Sequence, residues 1–115
     1  MDSGASLTIA TSAPFTVINR LKPKDGMLDE LIAALRAGIG QEMSRRPGFV
    51  RAAIHRSLDS DDVIVYAQWD SGEALAAAGA AVQAGEAPNM ARAYGLGDPE
   101  YHPFEVVEVI APIGG

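Results

Sequence analysis

The chain has 115 residues, enough for one domain with a single hydrophobic core. Its formal net charge of −6 and its nine scattered basic residues argue against a nucleic-acid or anionic membrane partner. The absence of cysteine excludes disulfides, thiolate catalysis and cysteine-ligated metals. Without a recognisable signal peptide or a run of about 20 apolar residues, we expect a cytoplasmic protein.

The chain begins with a segment that is small and polar over most of its length. We predict that residues 1–13 form a flexible tail or an added edge strand, and that residues 14–112 form the domain. A first strand is predicted from Phe15 to Leu21. Its alternation places the amide of Asn19 among apolar side chains, which requires an explanation.

A first helix follows, with apolar residues at helical spacing. We expect Asp25 to be its N-cap and Pro47-Gly48 to end it. Gly38 and Gly40 each cost about 1 kcal/mol relative to alanine inside a helix, so a bend is expected there.

Two strands joined as a hairpin come next. The first runs from Phe49 to Leu58, with Phe49 predicted on the same side as Arg51 and His55. After a turn at residues 59–62, the strand from Val63 to Trp69 is apolar on both faces. It is therefore predicted to be central in its sheet.

A second helix is predicted to begin after a cap at Asp70 and to continue through Ala84. Small and apolar residues share one stripe of this helix: Leu75, Ala78, Gly79 and Val82. This stripe allows the helix to lie close to the sheet, or leaves room for a flat ligand. Residues 87–97 resemble a short helix and loop that could form a lid, and a last strand is predicted from Tyr101 to Ala111.

This order of elements is the βαββαβ arrangement of the ferredoxin-like α+β fold, with a four-stranded antiparallel sheet. Two helices cover only one face of such a sheet, while two of its strands are apolar on both faces. A homodimer packed sheet to sheet, forming an α+β barrel, accounts for the second face.

The chain resembles the antibiotic biosynthesis monooxygenase superfamily of dimeric α+β barrels. The resemblance covers roughly residues 15–111 and rests on the element order and three short motifs: Pro47-Gly48-Phe49-Val50, Tyr66-Ala67-Gln68-Trp69-Asp70-Ser71 and His102-Pro103-Phe104-Glu105-Val106-Val107. One branch of this superfamily oxidises anthrone-type aromatic polyketides to quinones with molecular oxygen and no cofactor. Its members are similar in having an asparagine and a tryptophan where this chain has Asn19 and Trp69. A haem-degrading branch adds an iron-ligating histidine, but Gly79 stands at that position here.

The resemblance implies a homodimeric monooxygenase without cofactor or metal, acting on an aromatic polyketide and O2. Asn19 would stabilise a developing anionic oxygen, and Trp69 would stack on the planar substrate. We predict His55 as a possible base, because its ordinary pKa near 6.5 suits that role. Tyr66, Arg92 and Tyr94 are predicted to bind substrate.

Several alternatives remain open from the sequence. Trp69 could be a core aromatic residue, Asn19 could cap a backbone group, and Tyr66 could fill the dimer interface. His55 and Arg92 could be surface residues. The same scaffold could carry a polyketide cyclase or isomerase, a haem-degrading enzyme, or a non-catalytic module that binds a hydrophobic metabolite.

Overall fold

The computed structural model describes residues 15–114, so the predicted tail at residues 1–13 lies outside the described part of the chain. The strands are β1 (Phe15–Pro23), β2 (Phe49–Arg56), β3 (Val63–Trp69) and β4 (Gly97–Phe104). The helices are α1 (Leu28–Ala37), α2 (Gly72–Gln83) and α3 (Pro88–Leu96). A π-helical turn, Gly38–Glu42, and a short 3₁₀ turn, Met43–Arg45, follow α1.

The four strands form one antiparallel sheet in the order β2-β3-β1-β4. This confirms the predicted ferredoxin-like α+β fold, with β3 in an interior position. The hydrophobic core lies between one face of the sheet and the helices, where Leu21, Leu31, Leu35 and Val63 have no exposed surface. Burying each such side chain contributes roughly 1.5–3 kcal/mol.

The start of α1 differs from the prediction. Met27 occupies the N-cap position and makes no side-chain cap hydrogen bond, whereas Asp25 lies in the preceding turn. Gly26 has a positive φ of 75° there, and the Met27 amide donates to the Lys24 carbonyl at 2.9 Å. Asp25 is therefore part of this turn and is not the N-cap that the sequence predicts.

The predicted irregularity near Gly38 occurs as the π-helical turn. A Cβ atom on Gly38 would lie 2.5 Å from the Met90 sulfur and 2.9 Å from the Met90 backbone nitrogen. Glycine is thus required by the close approach of α3 to the end of α1.

Strand β2 contains a bulge that changes the predicted faces. Phe49 pairs with Trp69, but the next pair in the ladder is Arg51 with Gln68. Because one residue is inserted, Phe49 lies on the helix-covered face and Arg51 on the opposite one. The prediction that placed them together was wrong.

The strand also ends at Arg56, since the Ser57 hydroxyl accepts hydrogen bonds from turn amides.

The cap of α2 is Ser71, not Asp70. The Ser71 hydroxyl accepts a hydrogen bond from the Ala74 amide at 3.1 Å. The Asp70 amide instead donates to the Gly48 carbonyl at 2.7 Å, which keeps Asp70 one residue before the helix. The helix ends at Gln83, close to the predicted end.

Helix α3 lies within the predicted residues 87–97, whereas the last strand lies earlier in the chain than predicted. Helix α3 is packed into the core through Met90 and Ala93, so it is a fixed part of the helical layer and not a lid. Strand β4 occupies Gly97–Phe104 and not residues 101–111, because it pairs along β1 from Pro23 to Thr16. Its prolines and charges obscured it in the sequence, and an edge strand tolerates both.

The opposite face of the sheet carries apolar residues as well. Ile18, Ile64 and Tyr66 lie there, each partly buried, and Ile18 is paired with Tyr66.

Within residues 15–114, no helix is long and apolar enough to span a bilayer. A cytoplasmic location stays a prediction.

Candidate active site

A cavity of about 570 Å³ lies between the helix-covered face of the sheet and the helices. Its walls are mainly apolar and include Val17, Val65, Leu35, Leu75, Val82 and Met90. This size is within the range of about 300–1,000 Å³ found for small-molecule sites. The fold therefore provides a pocket able to hold a hydrophobic ligand.

Asn19 and Trp69 both line this cavity. Trp69 is paired with Phe15, and Asn19 with Val65, so the two side chains lie on one face but four residues apart along the strands. At about 3.4 Å per residue, this separates them by roughly 14 Å in the strand direction. The cavity is consequently a trough with the indole towards one end and the amide towards the other.

Trp69 belongs to the hydrophobic core and to the cavity wall at once. Its side chain is almost fully buried, and its ring meets that of Phe49 edge to face, with centroids 5.3 Å apart. Such a contact contributes about 0.5–1.5 kcal/mol beyond burial. The Phe49 ring therefore fixes the indole plane that a flat ligand would meet.

Asn19 is a buried polar residue with an unsatisfied atom. Its side chain is only 8% exposed, and its Oδ1 atom has no hydrogen-bond partner among residues 15–114. An unpaired buried acceptor costs about 1–3 kcal/mol. In the described structure, Asn19 Oδ1 therefore does not accept a hydrogen bond from a nearby backbone amide. A polar group kept at such a cost in an apolar wall is a candidate ligand contact.

Two tyrosines also line the cavity, Tyr94 from α3 and Tyr101 from β4. Burial raises the pKa of the Tyr94 phenol, and the nearby Tyr101 raises it further. Tyr94 is therefore a neutral hydrogen-bond donor at neutral pH. Tyr101 is absent from the sequence-based candidates, because its position depends on the register of β4, which the sequence did not reveal.

The predicted stripe of α2 faces the cavity. Leu75, Ala78, Gly79 and Val82 all line it, and a Cβ on Gly79 would meet no atom within 4 Å. The small residues of this stripe thus leave open space beside the helix, one of the two roles predicted for them.

The other three predicted site residues lie elsewhere. His55 and Tyr66 are on the opposite face of the sheet, His55 exposed and Tyr66 within hydrogen-bond distance of Gln68. Arg92 is exposed on α3, with its guanidinium 3.8 Å from the Glu30 carboxylate. The structure therefore brings together Asn19, Trp69 and Tyr94. It gives no support for contact of the other three with a ligand in this cavity.

Glu42 holds the start of α3 and thereby the helix that carries Tyr94. Its carboxylate accepts hydrogen bonds from the Asn89 amide at 2.9 Å, the Met90 amide at 3.0 Å and the Asn89 side chain at 2.8 Å. Burial raises the pKa of Glu42, but these three hydrogen bonds lower it by more. The folded-state pKa of Glu42 is therefore below its ordinary value. A carboxylate at a helix N-terminus is also favoured by the helix dipole.

The fold and cavity define a ferredoxin-like protein with a small-molecule site between its sheet and helices. The family model for the antibiotic biosynthesis monooxygenases matches residues 14–87, and the chain belongs to this family. Comparison with curated proteins gives no significant match.

Several solved structures share this fold. SnoaB, a cofactor-independent oxygenase from Streptomyces nogalater, is 25% identical with a TM-score of 0.74, over 87% of this chain and 99% of that one. A monooxygenase from the gene ActVA-Orf6 of Streptomyces coelicolor, solved with the ligand nanaomycin D, is 23% identical with a TM-score of 0.66, over 90% and 96%. The protein PA3566 from Pseudomonas aeruginosa is 16% identical with a TM-score of 0.67, over 86% and 99%.

Proposed function

We propose that the protein is a cofactor-independent monooxygenase that oxidises an anthrone-type aromatic polyketide to a quinone with O2. The observation that carries this proposal is the shared cavity of Asn19 and Trp69, where Asn19 is a buried amide in a mainly apolar wall and its Oδ1 atom has no partner among residues 15–114. Membership of the monooxygenase family and the similarity to SnoaB support the same reaction class.

The proposed chemistry uses the substrate as the electron donor. Loss of a proton from the methylene carbon of an anthrone gives a delocalised anion, whose charge rests largely on the carbonyl oxygen. This anion transfers one electron to O2, and the resulting radical pair combines to a peroxide. Protonation and loss of water leave a second carbonyl, so that CH₂ and O₂ become C=O and H₂O.

Asn19 would stabilise the anionic oxygen with the hydrogen atoms of its amide. A single donor of this kind is worth about 100- to 1,000-fold in rate. Tyr94, whose raised pKa keeps its proton in place, is a second donor on the cavity wall. Trp69 would bind the planar rings, and the apolar walls would exclude water from the anion.

Oxygen consumption with anthrone tests this proposal, using chelator-treated protein. We expect Asn19→Ala to lower the rate by about 100-fold. Trp69→Phe is preferred to Trp69→Ala, because truncating a buried tryptophan costs about 3–5 kcal/mol and endangers the fold. Tyr66→Phe, on the opposite face, is the matched control. Parental rates in folded Asn19→Ala would overturn the proposal.

A cyclase or isomerase on the same site is the second candidate. Amide and phenol donors in one cavity would stabilise an enolate whatever reaction follows it. Product formation from a polyketide without oxygen uptake would favour this alternative. Binding without any turnover would favour a non-catalytic member.

We also propose that the protein is a homodimer joined through the face opposite the helices. Ile18, Ile64 and Tyr66 lie on that face, and four large apolar residues beyond β4 are exposed: Val107, Val109, Ile110 and Ile113. Association of two copies would cover such surface. Sedimentation should show a dimer for the parent and a monomer for Ile18→Arg, while Ala77→Arg on the exposed side of α2 stays dimeric.

A further inference from the structure

The amide and phenol side chains that line the cavity come from β1, β4, α3 and the last residue of α2, Gln83. Asn19 is paired with Tyr101 across the β1–β4 ladder, and both residues line the cavity. Directly opposed residues have Cβ atoms about 4.5–5.5 Å apart. Tyr94 lines the same cavity from α3, the helix that leads directly into β4, and the nearby Tyr101 raises the pKa of its phenol.

The other end of the trough is aromatic and apolar. Phe49 and Trp69 form the edge-to-face pair there, and both line the cavity. A ligand with one apolar end and one oxygen-bearing end therefore has a single favoured direction in this trough.

We propose that Tyr101 is a positioning residue that, with Asn19, binds the oxygen-bearing edge of a polycyclic ligand and selects ligands with a hydroxyl beside a carbonyl. This inference rests on the proposed function, since it concerns the same cavity.

The hydrogen-bonding capacity of the two side chains matches such an edge. The Asn19 Oδ1 atom is fully buried, so the amide nitrogen is the part of this side chain left to meet a ligand, and its hydrogens can donate to a ligand carbonyl. The hydroxyl of Tyr101 can exchange a hydrogen bond with a phenolic hydroxyl beside that carbonyl. A ring system without the hydroxyl would lose the contact with Tyr101, which disfavours it.

Tyr101 can contribute to the selection of ligands because it lies at the opening of the cavity. Its side chain is 56% exposed although it lines the cavity, which places it at the mouth. As part of the edge strand β4, it can also lose its hydroxyl without disturbing the core.

Binding of two quinones tests the inference. The probes are a dihydroxyanthraquinone with hydroxyls beside its carbonyl and unsubstituted anthraquinone, and the signal is fluorescence of Trp69, the only tryptophan. We expect the parent to bind the hydroxylated quinone about tenfold more tightly, and Tyr101→Phe to reduce this preference to about twofold. Ala77→Leu, on the exposed side of α2 and outside the cavity lining, should keep the full preference.

The other outcomes would contradict one or both of the proposals. Equal binding of both quinones by the parent, or an unchanged preference in Tyr101→Phe, overturns the role of Tyr101. Failure of both quinones to bind overturns the proposed site and this inference together. A Tyr101-dependent preference in a protein that consumes no oxygen with anthrone overturns the oxygenase proposal alone.

Discussion

Asn19 and Trp69 reach one cavity from neighbouring strands, offset by four residues in the β1–β3 ladder. The offset creates a trough whose length follows the strands and whose two ends differ in chemistry. A planar molecule bound there would stack on the indole and present its far edge to the amide. The relationship depends on β-strand alternation, which keeps both side chains on the helix-covered face.

Replacing Asn19 by leucine should raise stability while abolishing activity. The Asn19 Oδ1 atom is buried without a partner among residues 15–114, so an apolar side chain of similar size removes a desolvation cost. We expect Asn19→Leu to increase the free energy of unfolding by about 1 kcal/mol, measured in urea.

A second buried amide supplies the matched control. Gln68 has no exposed surface, and its side chain accepts a hydrogen bond from Arg51 at 2.7 Å. Gln68→Leu should therefore lower stability by about 1–3 kcal/mol. If Asn19→Leu is as destabilising as Gln68→Leu, Asn19 has a structural role.

Much of this fold follows from the sequence because strand alternation and helical spacing are local signals. The faces of Asn19 and Trp69 and the stripe of α2 were predicted on that basis, and the irregular helix at Gly38 was predicted from the low helix propensity of glycine. The position of β4 was not, because its prolines and charges conceal a strand that only its pairing with β1 defines.

The site was predictable only in part for the same reason. Tyr101 joins the cavity through the β4 register, and the bulge in β2 turns Phe49 towards Trp69. The contact of Glu42 with the start of α3 joins residues 47 positions apart. Such non-local contacts leave no periodic signal in a single sequence.

The open space beside Gly79 should make this position decisive for ligand binding. Gly79→Ala is expected to stabilise α2 by about 1 kcal/mol, since its Cβ meets no atom within 4 Å. Gly79→Leu should fold but fill the trough and weaken quinone binding at least tenfold, measured by Trp69 fluorescence. Ala77→Leu, on the exposed side of the same helix, should bind as the parent does. Equal loss in both variants would place the ligand elsewhere.

Gly38 and Gly40 should respond in opposite directions to the same substitution. A Cβ on Gly38 collides with Met90, including its backbone nitrogen, so Gly38→Ala should lower stability by about 1–3 kcal/mol. A Cβ on Gly40 meets no atom within 4 Å, and Gly40→Ala should be neutral or slightly stabilising. Thermal unfolding of the two variants provides the comparison. A stabilising Gly38→Ala would show that α3 is not held closely against the end of α1.

The Glu42 cap should make stability depend on pH. Because the folded-state pKa of Glu42 is lowered from its ordinary value of 4.5, its contribution is complete above that value. It is lost as the pH falls through the lowered folded-state pKa. At pH 7 we expect Glu42→Ala to cost about 1 kcal/mol, as loss of a helix cap does.

Urea unfolding of Glu42→Ala and the parent at pH 7 and at about pH 3 measures this dependence. The difference between the two proteins should shrink at the lower pH, because the protonated carboxyl no longer carries the charge that the α3 amides favour. Glu108→Ala removes an equal charge from an exposed position beyond β4 and should leave stability nearly unchanged at both pH values. A difference that stays constant with pH would mean that the ionised form of Glu42 contributes nothing to holding α3 in place.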